Sequence, residues 1–143
     1  MKKITVIYWS GTGNTQKMAV AIAEGAKSEG VEVNLLSVDK AKKEDVLNAD
    51  AVALGCACMG SEVLEEDEME PFVAGLEKEK LEGKKMALFG SYDWGDGQWM
   101  ADWEDRMKQA GVTLVEEGLK IQNTPDDEGV DACKKLGEKL ATA

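Results

Sequence analysis

Apolar positions along the chain fall into five short runs, separated by stretches in which they recur every three or four residues. The runs are KITVIYW (3–9), VEVNLLSV (31–38), DAVALGC (50–56), KKMALFG (84–90) and VTLVEEGLKIQ (112–122). Short runs rich in valine, isoleucine and leucine are those of strands buried on both faces. Between them, Met18, Ile22 and Ala26 mark a helix over 14–28, and Phe72, Val73 and Leu76 mark one over 70–79. Met100, Trp103, Met107 and Ala110 predict a third over 99–110, and Val130, Cys133, Leu136, Gly137 and Leu140 a fourth over 127–141. A weaker helix is predicted over 43–48. Strands alternating with helices form βαβ units, whose right-handed crossovers give a parallel sheet covered on both faces. The prediction is a doubly wound α/β fold. Nothing in the 143 residues reads as a linker, so a single domain over 1–143 is expected.

Composition removes several classes of function. Charged residues make up 31% and hydrophobic residues 43%, and no apolar stretch approaches the roughly 18 residues of a membrane span. MKKITVIYWSG breaks into a polar glycine loop where a leader peptide would place a cleavage site, so a cytoplasmic location is expected. Histidine is absent, which removes His-based acid/base and nucleophilic catalysis and most zinc sites. Three cysteines are too few for a metal site without histidine, so no metal is expected. Cys56 and Cys58 end the third strand, and Cys133 lies in a helical stripe. The net charge of -11 disfavours nucleic acid and anionic membranes and favours a basic protein surface.

In a doubly wound fold, ligands bind beyond the carboxyl ends of the strands. Three loops at such ends are unusual: SGTGNT after the first strand, ACMGSEVLEEDE after the third, and SYDWGDGQW after the fourth. The first lacks the lysine of a nucleotide P-loop, since Gly13 is followed by Asn14. It also lacks the third glycine of the dinucleotide fingerprint, since position 16 is Gln. What remains is a turn into a helix that offers N–H groups and hydroxyls to a single phosphate. Met59-Gly60 and Trp94-Gly95 add apolar side chains able to cover the two faces of a planar ring. The plainer alternative is that Met59 and Trp94 pack back on the core.

The segments YWSGTGNT, GCACMGSEVLEEDEMEPF and ALFGSYDWGDGQWM resemble the three cofactor loops of short-chain flavodoxins of the clostridial type, and the resemblance covers essentially the whole chain. It implies a flavodoxin-like three-layer sandwich around a five-stranded parallel sheet of order 2-1-3-4-5, without the long insertion in the fifth strand that marks the other subclass. It implies non-covalent FMN and one-electron transfer between redox proteins, with no substrate turned over by the protein alone. Ser10, Gly11, Thr12, Gly13, Asn14 and Thr15 would hold the phosphate. Met59 would cover the inner ring face and Trp94 the outer, within a third-strand loop that begins Ala57, Cys58. Gly60 would turn its carbonyl toward flavin N5 and stabilise the neutral semiquinone, a flip that glycine makes at little cost. Glu62 would accept from flavin N3–H, and Ser91, Tyr92, Asp93, Trp94 and Gly95 would line the ribityl chain and pyrimidine edge. Close relatives often carry Asp where this chain has Ser61, and because the flip depends on the residue after the glycine, this departure bears on semiquinone stability.

Charge sets the expected potential. Glu62, Glu65, Glu66, Asp67, Glu68 and Glu70 crowd one loop, Asp93 and Asp96 the next, and no cation interrupts either set in sequence. At ~10 Å and an effective dielectric of ~40, each carboxylate opposes an anionic hydroquinone by ~0.8 kcal/mol. That equals ~35 mV for one electron, so the second reduction is expected at low potential. The same acids suit a helix start near Pro71, and both readings stand together. Basic-surfaced reductases and oxidoreductases would dock transiently on a monomer through these charges. The Lys and Glu residues of 78–85 read as a solvated helix end and turn. An FMN-dependent NAD(P)H or quinone reductase on the same fold is the alternative, although little chain is left over for a second pocket. A phosphorylated receiver is excluded, because Trp9-Ser10 and Cys56-Ala57 stand where its acids belong.

Overall fold

The computed structural model describes residues 2–11, 13–27, 30–58, 64–93, 95 and 97–143. Its strands are β1 Lys2–Trp9, β2 Val31–Ser37, β3 Ala51–Cys56, β4 Lys85–Tyr92, β5 Thr113–Leu114 and β6 Leu119–Gln122. Its α-helices are α1 Asn14–Ala26, α2 Lys43–Leu47, α3 Met69–Glu77, α4 Gln98–Gln109 and α5 Asp127–Thr142. The sheet order is β2-β1-β3-β4-β5 with every pairing parallel, and β6 continues beside β4. This is the predicted order.

The continuous apolar runs have the predicted cause. All six residues of β3 are buried, as is the centre of β1. Alternate residues serve opposite layers. Ile4, Val6, Ala51, Ala53, Ala87 and Phe89 pack with Met18, Ile22 and Ala26 of α1 and with Cys133, Leu136 and Leu140 of α5. On the other face Ile7, Val52, Leu54, Met86 and Leu88 pack with Val73 and Leu76 of α3 and with Met100, Trp103 and Met107 of α4. Each predicted helical stripe therefore lands in a core. β2, an edge strand, is only half covered.

Two expectations fail locally. The run 112–122 is not one strand. Leu114 pairs with Met86 and Leu119 with Phe89, so Val115, Glu116, Glu117 and Gly118 stand opposite only Ala87 and Leu88. Two surplus residues must leave the ladder, a local excursion of the bulge type. Neighbouring helices fix it: the Gly118 N–H donates to Glu104 Oε2 of α4 at 3.0 Å, and Glu116 pairs with Lys139 of α5. Lys84 is likewise no solvated turn residue. Its Nζ donates to Leu47 O at 3.1 Å and to Ala49 O at 2.6 Å, satisfying carbonyls at the end of α2.

Candidate functional site

Parallel strands bring the ends of β1, β3 and β4 to one edge, with Trp9 opposite Cys56 and Gly55 opposite Phe89. The first loop leaves β1 there. The Gly13 N–H donates to Ser10 Oγ at 3.0 Å, closing a tight turn. Gly13 then takes the N-cap position of α1 with φ at +96°, a left-handed conformation that side chains resist. No side chain caps α1 and no acid stands in its first turn. Its leading N–H groups and positive dipole end thus suit an anion.

The other loops are tied to this one. Thr15, fully buried, shares a 2.8 Å hydrogen bond with Ser91 Oγ, and its Oγ1 also accepts from the Ser91 N–H at 3.3 Å. Cys58 N–H donates to Ser91 O at 3.0 Å, joining the third-strand loop to β4. Ser91 and Tyr92, predicted in the loop, belong to β4 itself, because β6 pairs with both. Asp93 and Gly95 follow as exposed residues, and Gln122 Nε2 donates to Asp93 O at 3.2 Å. Ser10, Gly11, Gly13, Asn14, Thr15, Ala57, Cys58, Ser91, Tyr92, Asp93 and Gly95 thus gather along one edge. Thr12, Met59, Gly60, Ser61, Glu62, Trp94 and Asp96 lie outside the described residues.

Sequence reading missed the segment after β6. There the Asn123 N–H donates to Tyr92 O at 2.8 Å, and Thr124 Oγ1 donates to Asn14 Oδ1 at 3.1 Å. The signal was present: Asn-Thr-Pro ends another parallel strand at the same edge. Two tryptophans find their places. Trp99 is buried, donates from Nε1 to Cys56 O at 3.3 Å and lies 5.6 Å from Tyr92 between ring centroids, so it supports the loops from below. Trp9 is half-buried, its ring against Gly11. The Cys56 and Cys133 thiols are both pushed up to about 12 by burial, which makes them core groups, not nucleophiles.

The acidic run divides in two. Glu66, Asp67 and Glu68 are exposed, but Glu65 is only 6% exposed. Its Oε2 accepts from Asp67 N–H at 2.8 Å, and its Oε1 from Glu68 and Met69 N–H at 2.7 and 3.0 Å, capping α3. Burial pulls that carboxyl upward, yet the Met69, Asp67 and Glu68 donors together hold it below the ordinary carboxylate range. Nor is the run without a cation. Arg106, brought in by α4, grips Glu70 with two bonds of 2.8 and 2.6 Å and Glu77 at 2.7 Å.

Glu65→Gln is expected to cost about 1 kcal/mol at neutral pH, as lost helix caps do. A lowered folded pKa stabilises fully above the unfolded value near 4.5 and is lost as pH falls through the folded value. The stability gap between the two proteins should therefore narrow in acid. Urea midpoints at pH 7 and pH 4 measure it, and a constant gap would count against an ionised cap.

The fold and this edge define a doubly wound α/β protein in which a neutral, donor-rich turn after β1 sits beside the ends of β3 and β4. A family model described as Flavodoxin matches residues 6–137. A flavodoxin of Clostridium beijerinckii is 50% identical over 136 residues, 95% of this chain and 97% of that one. A flavodoxin of Megasphaera elsdenii is 43% identical over 140 residues, 98% and 99% of the two chains. The solution structure of that organism's two-electron reduced flavodoxin superposes with a TM-score of 0.86, covering 98% and 99% of the chains. An archaeal flavodoxin structure, 32% identical, gives 0.89, with 98% and 96% covered.

The chain belongs to the flavodoxin family. It is an FMN-binding electron carrier, not an enzyme, and works between redox partner proteins. Among its described residues, no helix is long and apolar enough to cross a membrane.

Proposed function

We propose that the whole chain, 1–143, is one FMN domain that carries single electrons at low potential between the half-reduced and fully reduced flavin. The phosphate lies on Ser10 to Thr15 at the uncapped start of α1. The ring lies between Met59 and Trp94, with Gly60 and Glu62 at its N5 and N3 edge and Ser61 between them. Ala57 and Cys58 lead into that loop, and Ser91 to Gly95 run along the other edge. The observation that carries this reading is a neutral, donor-rich turn bonded directly to the end of β4 through Thr15 and Ser91. Its donors fit a phosphate monoester, which only accepts.

Bound FMN supplies the one-electron chemistry; the chain holds it and sets the charge around it. Among the described residues, Glu66, Asp67, Glu68 and Asp93 are the exposed acids of the two loops, and with Glu62 and Asp96 they would oppose a second negative charge on the ring. Glu65 contributes less than its position suggests, because its charge faces the start of α3, and Glu70 is offset by Arg106. The same exposed acids would steer basic reductases and oxidoreductases to a monomer in the cytoplasm, with nucleic acid and membranes disfavoured by net charge.

Anaerobic dithionite titration tests the carrier. The yellow protein is expected to develop the long-wavelength absorbance of a flavin radical before it bleaches. Bleaching in a single step, with no such band, would overturn one-electron carriage and show that Gly60-Ser61 does not support it.

A further inference from the structure

A loop without lysine faces a difficulty that hydrogen-bond accounting exposes. Serine and threonine hydroxyls and the asparagine amide each donate and accept, so any of them could turn a lone pair toward a dianion as easily as a proton. Here each described polar side chain of the loop accepts a hydrogen bond from within the protein. Ser10 Oγ accepts from the Gly13 N–H, inside the loop. Asn14 Oδ1 accepts from Thr124 Oγ1, which leaves its NH₂ group. Thr15 Oγ1 accepts from the Ser91 N–H and faces Ser91 Oγ, and a proton donated by that hydroxyl leaves Thr15 with its own to give.

We propose that Thr124 and Ser91 are positioning residues that bond to the acceptor atoms of Asn14 and Thr15 from behind, so that these side chains turn donors toward a phosphate. Neither needs to touch the phosphate. Ser91 is buried beneath Thr15, and Thr124 is exposed on the segment after β6, where the Asn123 to Tyr92 bond holds it. This gives Ser91, at the start of the segment that runs along the ribityl chain and ring edge, a second part on the phosphate side of the site. It also gives the last loop a part in selecting phosphorylated flavin over its dephosphorylated form. The inference rests on the reading that the FMN phosphate sits at the start of α1.

The test is the ratio of dissociation constants for riboflavin and FMN, measured by fluorescence quenching on the full-length protein after flavin removal. Thr124→Val, on an exposed residue, is expected to weaken FMN about fivefold and leave riboflavin unchanged, the size of one hydrogen bond. Thr124→Ser keeps the hydroxyl and should bind FMN as the parent does. Ser91→Ala, at the buried pair, is expected to lower the ratio about tenfold. A ratio unchanged in Thr124→Val and Ser91→Ala, or both flavins weakened alike, would overturn the positioning role while leaving the phosphate site intact. A parent protein that binds riboflavin as tightly as FMN would instead remove the phosphate from this loop, and the inference with it.

Discussion

Gly137→Ala is expected to destabilise the protein by about 3 kcal/mol, the upper range for an overfilled core, and to lower its urea midpoint by about 1.5 M. Helix α1 crosses α5 with backbone against backbone. A Cβ on Gly137 would lie 2.0 Å from Ile22 O and 2.7 Å from Ala26 N, and one on Gly25 would lie 2.0 Å from Lys134 O. No flexible side chain stands at these contacts to give way. The sheet beneath is shaped for the same approach, with Ala51, Ala53 and Ala87 presenting small side chains to this layer. Helix propensity alone points the other way, since alanine is favoured over glycine in a helix by about 1 kcal/mol. The sign of the change therefore decides between them. A stabilised variant would mean that the two helices do not meet at these glycines. On the proposed phosphate site at the first turn of α1, the expected loss would also reach the cofactor, because α5 holds the far side of that helix.

That crossing also shows what the sequence made legible. Met18, Ile22 and Ala26 recur at helical spacing, so the existence of α1 and its buried stripe could be read directly, as could the paired stripe of α5. The strands followed for the same reason: a central parallel strand is apolar on both faces, and its run announces it. What could not be read depended on partners distant in the chain. The run 112–122 is interrupted by Glu116, Glu117 and Gly118, but that these residues leave the ladder is fixed by Glu104 and Lys139, which arrive from two helices. Glu65 is indistinguishable in sequence from Glu66, Asp67 and Glu68. It is set apart by the turn that aims it at three N–H groups. Arg106 stands 36 residues from Glu70, and Thr124 stands 110 from Asn14. The glycine turn from β1 into α1 was readable because it is local, a strand, a turn and a helix start in one segment. The groups bonded to it from β4 and from the segment after β6 were not.

Electron exchange with a basic redox protein is expected to slow about tenfold or more between about 10 mM and 150 mM ionic strength. Over that interval the screening length falls from about 30 Å to about 8 Å, so charges that act at a distance in dilute buffer cease to steer. The chain carries a net charge of -11, but position should matter beyond the total. Glu66, Asp67 and Glu68 are exposed at the edge where the cofactor loops gather, while Glu24, Glu82 and Glu138 are exposed toward the opposite edge, near the ends of α1 and α5 and ahead of β4. Neutralising the first three to Gln, Asn and Gln should lower the rate in dilute buffer and flatten the salt dependence. Neutralising the second three to Gln removes the same charge and should flatten it much less. Both should converge on the parent rate at high salt, since the contact itself is untouched and electrostatics acts chiefly on the encounter. Stopped-flow rates at four or five ionic strengths separate the cases. Equal flattening in both variants would reduce the effect to net charge, and a parent rate indifferent to salt would remove charge steering from this edge altogether.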